Sequence, residues 1–168
     1  MTDLRILEEI KFNPIGVVHT QASDDEVRSR THGLESIIEI YPEFQDALEG
    51  LEGFSHLFVI AYLNKLRPDQ IGQLKVKPRG LLRYGLNLED LPLVGVFALD
   101  SPTRPNPIGL SLVRFLRIER ERNLIVSDLD YFDGTPLLDI KPYQSGYRVD
   151  SYSFPQWHTN LLEKAGHV

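Results

Sequence analysis

VFALDSPTRPNPIGLS, residues Val96–Ser111, contains a loop with three prolines that joins two short apolar runs. Proline fixes its own φ and pushes the preceding residue towards extended backbone, so this loop is not helical. The runs on either side, Val94–Leu99 and Ile108–Leu116, are short enough for buried strands. Gly109, directly after the loop, allows a close approach to its backbone or an unusual turn. We predict a stiff, preorganised binding edge here; the alternative is a rigid surface connection.

The rest of the chain alternates short apolar runs with turn signals, which is typical of a β-barrel. The apolar stripe Phe44, Leu48 and Leu51 predicts one helix, with Pro42 in its first turn, and the polar segment 21–34 predicts a long loop. Asp133-Gly134 predicts a tight hairpin between Leu129–Phe132 and its return strand. Further strands are predicted at Ile10–Thr20, Ser36–Tyr41, His56–Leu63, Leu74–Lys77, Leu124–Val126 and Leu137–Ile140, whereas 112–118 fits helix or strand.

The predicted fold is therefore mostly β: a single small β-barrel with one or two short helices and a C-terminal tail. One domain is expected over residues 1–168, with its core at about 10–143 and a packed tail at 144–168. No apolar run approaches the roughly 20 residues that span a bilayer, and the N-terminus lacks the apolar core of a secretory signal. With no cysteine in the chain, a cytoplasmic setting is the simplest expectation.

Composition and spacing also limit the chemistry. The absence of cysteine excludes thiolate catalysis and cysteine-bound zinc. The five histidines form no i, i+3 or i, i+4 pair, so no metal site is predicted. The tetrapeptide Asp133-Gly134-Thr135-Pro136 offers a carboxylate, accessible backbone and a hydroxyl in one bend, which suits the ribose and amino-acid parts of a small polar ligand. We ascribe the nearby Asp130 to turn chemistry.

Charge is unevenly distributed along the chain. The formal net charge is −6, yet 65–83 carries six basic residues and one acidic residue. A local basic segment on an acidic protein is able to meet a polyanion. The alternative is a solvated loop. The basic residues, which we call the basic segment, are Lys65, Arg67, Lys75, Lys77, Arg79 and Arg83.

Three segments, in this order and spacing, resemble the TsaA-like (TrmO) family: LEGFSHLFVIAYLNK at 51–65, SPTRPNPIGLS at 101–111 and FDGTPLLDIKPY at 132–143. The resemblance implies a small β-barrel that binds S-adenosylmethionine and is unrelated to Rossmann-type methyltransferases. It also implies N6-methylation of threonylcarbamoyladenosine beside the tRNA anticodon. Family members bind the cofactor near a dimer interface, so a homodimer is expected.

The resemblance also implies individual cofactor contacts. Asn64 and Lys65 stand where the family commonly has His-Gln, and Arg28 is a loose counterpart of an early family arginine. Asp100 replaces another family arginine, and an acid there can accept hydrogen bonds from ribose hydroxyls. The implied cofactor-binding residues are Arg28, Asn64, Lys65, Asp100, Leu110, Asp133, Gly134, Thr135 and Pro136.

These residues predict an S-adenosylmethionine-dependent tRNA methyltransferase that docks tRNA on the basic segment. Arg104 is assigned as a clamp for phosphate or the threonyl carboxylate, because a guanidinium suits bidentate recognition. Asn106 is assigned to orient the acceptor edge; alternatively, both residues only brace the proline loop. Two other functions stay open: a non-catalytic S-adenosylmethionine-binding regulatory barrel and a small-metabolite methyltransferase.

Overall fold

The structure, a computed structural model, describes residues 10–29 and 33–167. It contains eight strands and two α-helices in these ranges, joined by loops and short 3₁₀ turns. In chain order these are β1 (Gly16–Thr20), α1 (Asp24–Ser29), β2 (Glu35–Ile40), β3 (His56–Tyr62), β4 (Lys75–Val76), β5 (Val94–Gly95), β6 (Ile108–Glu119), β7 (Asn123–Ser127), β8 (Pro136–Pro142) and α2 (Gln156–Lys164).

Six of the strands form a closed antiparallel barrel in the order β1-β2-β7-β6-β3-β8. Strand β3 shows why the sequence folds this way, because Leu57, Val59 and Ala61 alternate inward and are completely buried. The same alternation in the other strands fills the barrel with aliphatic side chains. The prediction of a mostly β barrel with few short helices is confirmed.

Barrel closure depends on Gly16. This residue pairs with both Ile40 of β2 and Leu137 of β8, so it joins the first strand to the last. A Cβ at this position would lie 2.3 Å from the carbonyl oxygen of Glu39. Only glycine therefore allows β1 and β2 to pair at this point.

The hairpin predicted at Asp133-Gly134 is wrong. Gly134 does make a turn, with φ of 76°, but β7 pairs with β2 and β6, whereas β8 pairs with β3 and β1. The segment 129–132 is not a strand, although Tyr131 turns its ring into the core and its hydroxyl donates to the carbonyl of Val59 at 3.1 Å. The long-range pairing of β8 with β1 and β3 decides this part of the fold, and a local turn signal does not contain it.

Three other local predictions need correction. The predicted loop 21–34 contains α1, which starts with reciprocal bonds between Ser23 and Glu26. The helix at Pro42–Leu48 is a 3₁₀ helix. The run Val94–Leu99 forms only the two-residue β5 and a 3₁₀ turn, which leaves Phe97 77% exposed. The ambiguous segment 112–118 belongs to strand β6.

A second apolar cluster lies outside the barrel core. Leu161 of α2 packs with Leu81, Leu86 and Leu91 from the segment between β4 and β5. The C-terminal helix therefore packs on the segment that carries three of the six residues of the basic segment: Lys77, Arg79 and Arg83. Among the described residues, no helix has both the length and the apolar character needed to cross a membrane.

Candidate functional site

Two adjoining clefts lie where one end of the barrel meets the proline loop and α1. Strands β1, β3 and β7 end at this end of the barrel, and strands β2, β6 and β8 begin there. The first cleft has a volume of about 320 Å³ and the second about 210 Å³. They share five lining residues: Val27, Asp100, Leu110, Ser111 and Asp130. The shared wall makes them two compartments of one candidate site.

The second cleft has a cationic, aromatic side. Two cations lie over the ring of Phe132, the Arg28 guanidinium 5.3 Å and the Lys65 ammonium 5.4 Å from its centroid. Helix α1 delivers Arg28, whereas Lys65 and Asn64 follow the end of β3. Two positive charges beside an aromatic face suit a ligand that combines a carboxylate with a flat ring.

The shared wall between the clefts is acidic. The hydroxyl of Ser111, on β6, donates a hydrogen bond to Asp130, which is half-buried. Asp100 stands on the same wall and is exposed. Tyr131 lines the second cleft, and burial raises the pKa of its hydroxyl far above the ordinary value. This tyrosine therefore stays protonated and neutral.

The Asp133-Gly134-Thr135-Pro136 bend is held against β1. The backbone N–H of Thr20 donates to the Asp133 carboxylate at 3.2 Å, and that of Gly134 donates to the carbonyl of Val18 at 2.8 Å. Thr135 is buried and lines the second cleft. Asp133, Gly134 and Pro136 line neither cleft, so the bend offers the site mainly Thr135.

Arg104 and Asn106 lie outside both clefts. One guanidinium nitrogen of Arg104 donates to the carbonyls of Leu99 at 2.6 Å and Val96 at 3.3 Å, and the guanidinium lies 5.7 Å from the ring centroid of Phe97. These contacts are those of a loop brace. The catalytic assignments of Arg104 and Asn106 stay predictions without support from this geometry.

The basic segment is spread over several elements. Arg67 pairs with Asp69 at 3.1 Å, and the ammonium of Lys77 donates to the carbonyl of Leu88 at 2.8 Å. Arg83 lies over the ring of Tyr84, at 4.8 Å from its centroid. Lys75 and Arg79 are exposed. Only Lys65 reaches a cleft.

Six of the nine predicted cofactor-binding residues line the second cleft: Arg28, Asn64, Lys65, Asp100, Leu110 and Thr135. Among the other residues that line it, Ser111, Asp130 and Phe132 had no cofactor contact predicted from the sequence. Asp130 and Phe132 stand directly before the Asp133–Pro136 bend, and this proximity in sequence was the available signal. Within 10–29 and 33–167, no group of three or more histidines and acids is arranged to hold a metal ion.

Comparisons with known proteins identify relatives of this fold and site. A protein of Methanothermobacter thermautotrophicus named "Probable S-adenosyl-L-methionine-binding protein" is 40% identical over 149 residues, which are 87% of this chain and 97% of that protein. An "S-adenosyl-L-methionine-binding protein" of Archaeoglobus fulgidus is 38% identical over 135 residues, covering 79% of this chain and 88% of its own length.

Solved structures show the same fold. A crystal structure of TrmO matches with a TM-score of 0.65 and 29% identity over 87% of this chain. A crystal structure of TrmO from Pseudomonas aeruginosa matches with a TM-score of 0.62 and 27% identity over 86% of this chain. The chain spans 64% and 62% of the length of those two proteins. The family profile of the tRNA-methyltransferase O N-terminal domain matches residues 20–150. The chain therefore belongs to the family of the tRNA-methyltransferase O N-terminal domain.

Proposed function

We propose that this protein is an S-adenosylmethionine-dependent methyltransferase that acts on tRNA, at N6 of threonylcarbamoyladenosine. The observation that carries the proposal is the second cleft, where Arg28, Lys65, Leu110 and Thr135 converge in a chain of this family. The names of the relatives support the cofactor. The substrate rests on the family and on the names of the structural neighbours.

The side chains of the second cleft fit S-adenosylmethionine. Arg28 and Lys65 suit its carboxylate, and Asp100 suits the ammonium group or the ribose hydroxyls. Leu63 and Leu110 supply apolar surface next to the ring of Phe132. When bound, the cofactor supplies an electrophilic methyl group on a sulfonium. The protein's task is to hold the acceptor nitrogen in line with that methyl, since orientation can supply about 7–11 kcal/mol of a barrier.

The basic segment is the proposed docking surface for tRNA. The protein is acidic overall, so attraction to a polyanion must come from a local patch. Lys75 and Arg79 are exposed on that surface, and Lys65 connects it to the cleft. The target adenosine must be unstacked to enter the site, which an anticodon loop permits.

A homodimer is also proposed, with the site near its interface. On the outer face of the barrel, apolar side chains of β3 and β6 lie opposite one another in the pairs Tyr62–Ile108, Ile60–Leu110 and Phe58–Leu112. Four of these residues are between 39% and 57% exposed: Tyr62, Ile108, Leu110 and Leu112. An apolar stripe of this kind, continuous with the cleft through Leu110, supports a twofold contact.

The decisive test is methyl transfer from labelled S-adenosylmethionine to tRNA that carries threonylcarbamoyladenosine. Mass spectrometry of the digested nucleosides should show the N6-methylated product, and tRNA without the threonylcarbamoyl group is the matched control substrate. Cofactor binding with no transfer to any RNA would favour the regulatory barrel. Methyl transfer to a small metabolite alone would favour the small-metabolite methyltransferase.

A further inference from the structure

We infer that Asp130 accepts the proton that the acceptor nitrogen loses during methyl transfer, and that Ser111 positions its carboxylate. The inference rests on the proposed function, because it names a residue for that reaction. Asp130 lines both clefts, so its carboxylate stands between the compartment proposed for the cofactor and the one left for the acceptor base. It is absent from the contacts that the family resemblance implies.

The reaction needs a proton acceptor. The N6 lone pair forms the new N–CH₃ bond while the S–CH₃ bond breaks and its electron pair stays on sulfur. The N6–H bond then gives its electron pair to nitrogen and its proton to a carboxylate oxygen. A positive and a negative charge are both consumed, so the step balances without another reactant. Because a methylated nitrogen that still holds its proton is a strong acid, an ordinary carboxylate suffices as the base.

Other titratable groups along the clefts are less suited. Arg28 and Lys65 are cations, and Tyr131 is neutral because burial raises its pKa. Glu26 is bonded to both the backbone and the hydroxyl of Ser23, at 2.8 and 2.7 Å. Asp128 accepts from the backbone N–H of Gly33 at 2.9 Å. Both line the first cleft alone.

Two carboxylates remain on the shared wall, and burial separates them. Asp100 is exposed, whereas Asp130 is half-buried. The Ser111 hydroxyl donates to Asp130 and so holds its carboxylate on the wall that both clefts share. Ser111 itself is held in register because it pairs with Val59 inside the barrel sheet. The carboxylate is thereby presented at a fixed position, as a base requires.

The test uses Asp130→Asn and Ser111→Ala in the full chain, with Asp150→Asn as the matched control. Asp150 is 75% exposed and pairs with Arg148, away from the clefts. Single-turnover methyl transfer to threonylcarbamoylated tRNA should fall about 100-fold in Asp130→Asn. It should fall several-fold in Ser111→Ala and stay unchanged in the control. Calorimetry should show S-adenosylmethionine affinity within about twofold of wild type in all three.

The pH profile and a spectroscopic titration complete the test. The wild-type rate should decrease at low pH as the carboxylate is protonated, and Asp130→Asn should lack that limb. Carbon-13 NMR of labelled aspartate should show the Asp130 carboxyl titrating at the same pH as the rate. Transfer at the wild-type rate in either variant, or loss of cofactor affinity in Asp130→Asn, would overturn the assignment. If Asp130→Asn does not fold, the rate of Ser111→Ala and the titration of the Asp130 carboxyl decide whether Asp130 is the proton acceptor. No methyl transfer by the wild-type protein would instead refute the proposed function.

Discussion

Gly109 lies where β6 begins and where the backbone passes closest to Tyr131. A Cβ on Gly109 would be 2.8 Å from the tyrosine hydroxyl, 2.9 Å from its ring and 2.9 Å from a methyl of Leu63. The close approach expected from the sequence is confirmed. Because the hydroxyl of Tyr131 also holds the carbonyl of Val59, a shift of this ring would disturb β3 as well.

We expect Gly109→Ala to destabilise the protein by about 1–3 kcal/mol, since the added methyl overpacks a filled contact. The variant should also bind S-adenosylmethionine more weakly, because Gly109 and Tyr131 both line the second cleft. Denaturant unfolding and calorimetry measure the two effects. Gly146→Ala is the control, because a Cβ there meets no atom within 4 Å. Equal stability of the two variants would contradict the packing argument.

At the scale of elements, the proline loop is held by its own arginine. Arg104 joins the loop to the 3₁₀ turn before it through the carbonyls of Val96 and Leu99. The backbone N–H of Gly72 donates to the carbonyl of Arg104 at 3.2 Å, which ties the loop to the segment before β4. The loop is thus stiffened by prolines locally and by hydrogen bonds from two neighbouring segments.

Arg104→Lys distinguishes bracing from catalysis. A lysine lacks the planar fork of an arginine, so it should hold the two carbonyls less well. If Arg104 braces the loop, cofactor affinity should fall several-fold, with little change in the rate of the bound complex. A rate that drops at least tenfold with unchanged affinity would instead support the catalytic assignment. Calorimetry and single-turnover kinetics separate the two outcomes, and Arg79→Lys is the matched control.

A second contact between elements joins β2 to the turn between β6 and β7. Arg122 donates to the Glu39 carboxylate at 2.6 Å and to the carbonyl of Ile40 at 2.9 Å. His19 lies 2.9 Å from the other oxygen of the same carboxylate. The hydrogen bond from Arg122 first, and that from His19 second, lower the pKa of Glu39 below its ordinary value.

This pKa shift predicts a pH-dependent contribution to stability. A carboxyl with a lowered pKa in the folded state stabilises the protein above its unfolded pKa of about 4.3. The contribution is lost as pH falls through the folded pKa. Glu39→Gln should therefore lower the unfolding midpoint at pH 7 and converge with wild type near pH 2–3. A constant difference across that range would contradict the linkage. Glu43→Gln, on the exposed surface of the following 3₁₀ helix, is the control.

At the scale of the whole molecule, charge and apolar surface are segregated. The basic segment belongs to the excursion between β3 and β6, which α2 covers, whereas the exposed apolar stripe runs along β3 and β6. The two surfaces are continuous with the clefts through Lys65 and Leu110 respectively. In the proposal, tRNA docked on the basic segment meets the site at Lys65, and a second copy on the apolar stripe meets it at Leu110.

The basic segment is tested with Lys75→Ala and Arg79→Ala together. These two side chains are exposed, whereas Lys77 is bonded to the carbonyl of Leu88 and its loss would confuse docking with stability. Each lost phosphate contact should lower the salt slope of tRNA binding by roughly 0.7–0.9. The apparent KM for tRNA should rise while cofactor affinity stays constant. A wild-type salt slope would place the RNA elsewhere. Arg148→Ala, which removes one exposed cation outside the basic segment, is the control.

The proposed dimer predicts that light scattering at micromolar concentration gives twice the mass of the 19.2 kDa chain. Tyr62→Glu, which places a charge on the 41% exposed position of the stripe, should shift the protein towards monomer. Phe154→Glu is the control, because this 53% exposed aromatic lies near the C-terminus. A wild-type monomer in the presence of S-adenosylmethionine would contradict the dimer.

Much of the barrel is determined by the sequence alone, because alternation and turn chemistry are local properties. In strand β3, every second residue points into the barrel, and this alternation can be read from the sequence. The polar residues before β7 likewise indicate a turn. The family motifs identify the segments of the site for the same reason, since each motif is a short contiguous run. Gly109 indicates from the sequence that another group can approach its backbone closely, because glycine has no Cβ.

The tertiary structure alone decided which strands pair and which polar groups meet. Ser111 and Asp130 are 19 residues apart, and Tyr131 is 72 residues from the carbonyl that it holds, so no window of sequence contains either contact. The predicted hairpin is wrong because β8 pairs with β1 and β3, which lie far from it in sequence, whereas a turn signal reports on neighbouring residues only. The role of Arg104 was open for a similar reason. A guanidinium serves a ligand or a backbone carbonyl equally well, and only the path of the folded loop brought the carbonyls of Val96 and Leu99 within its reach.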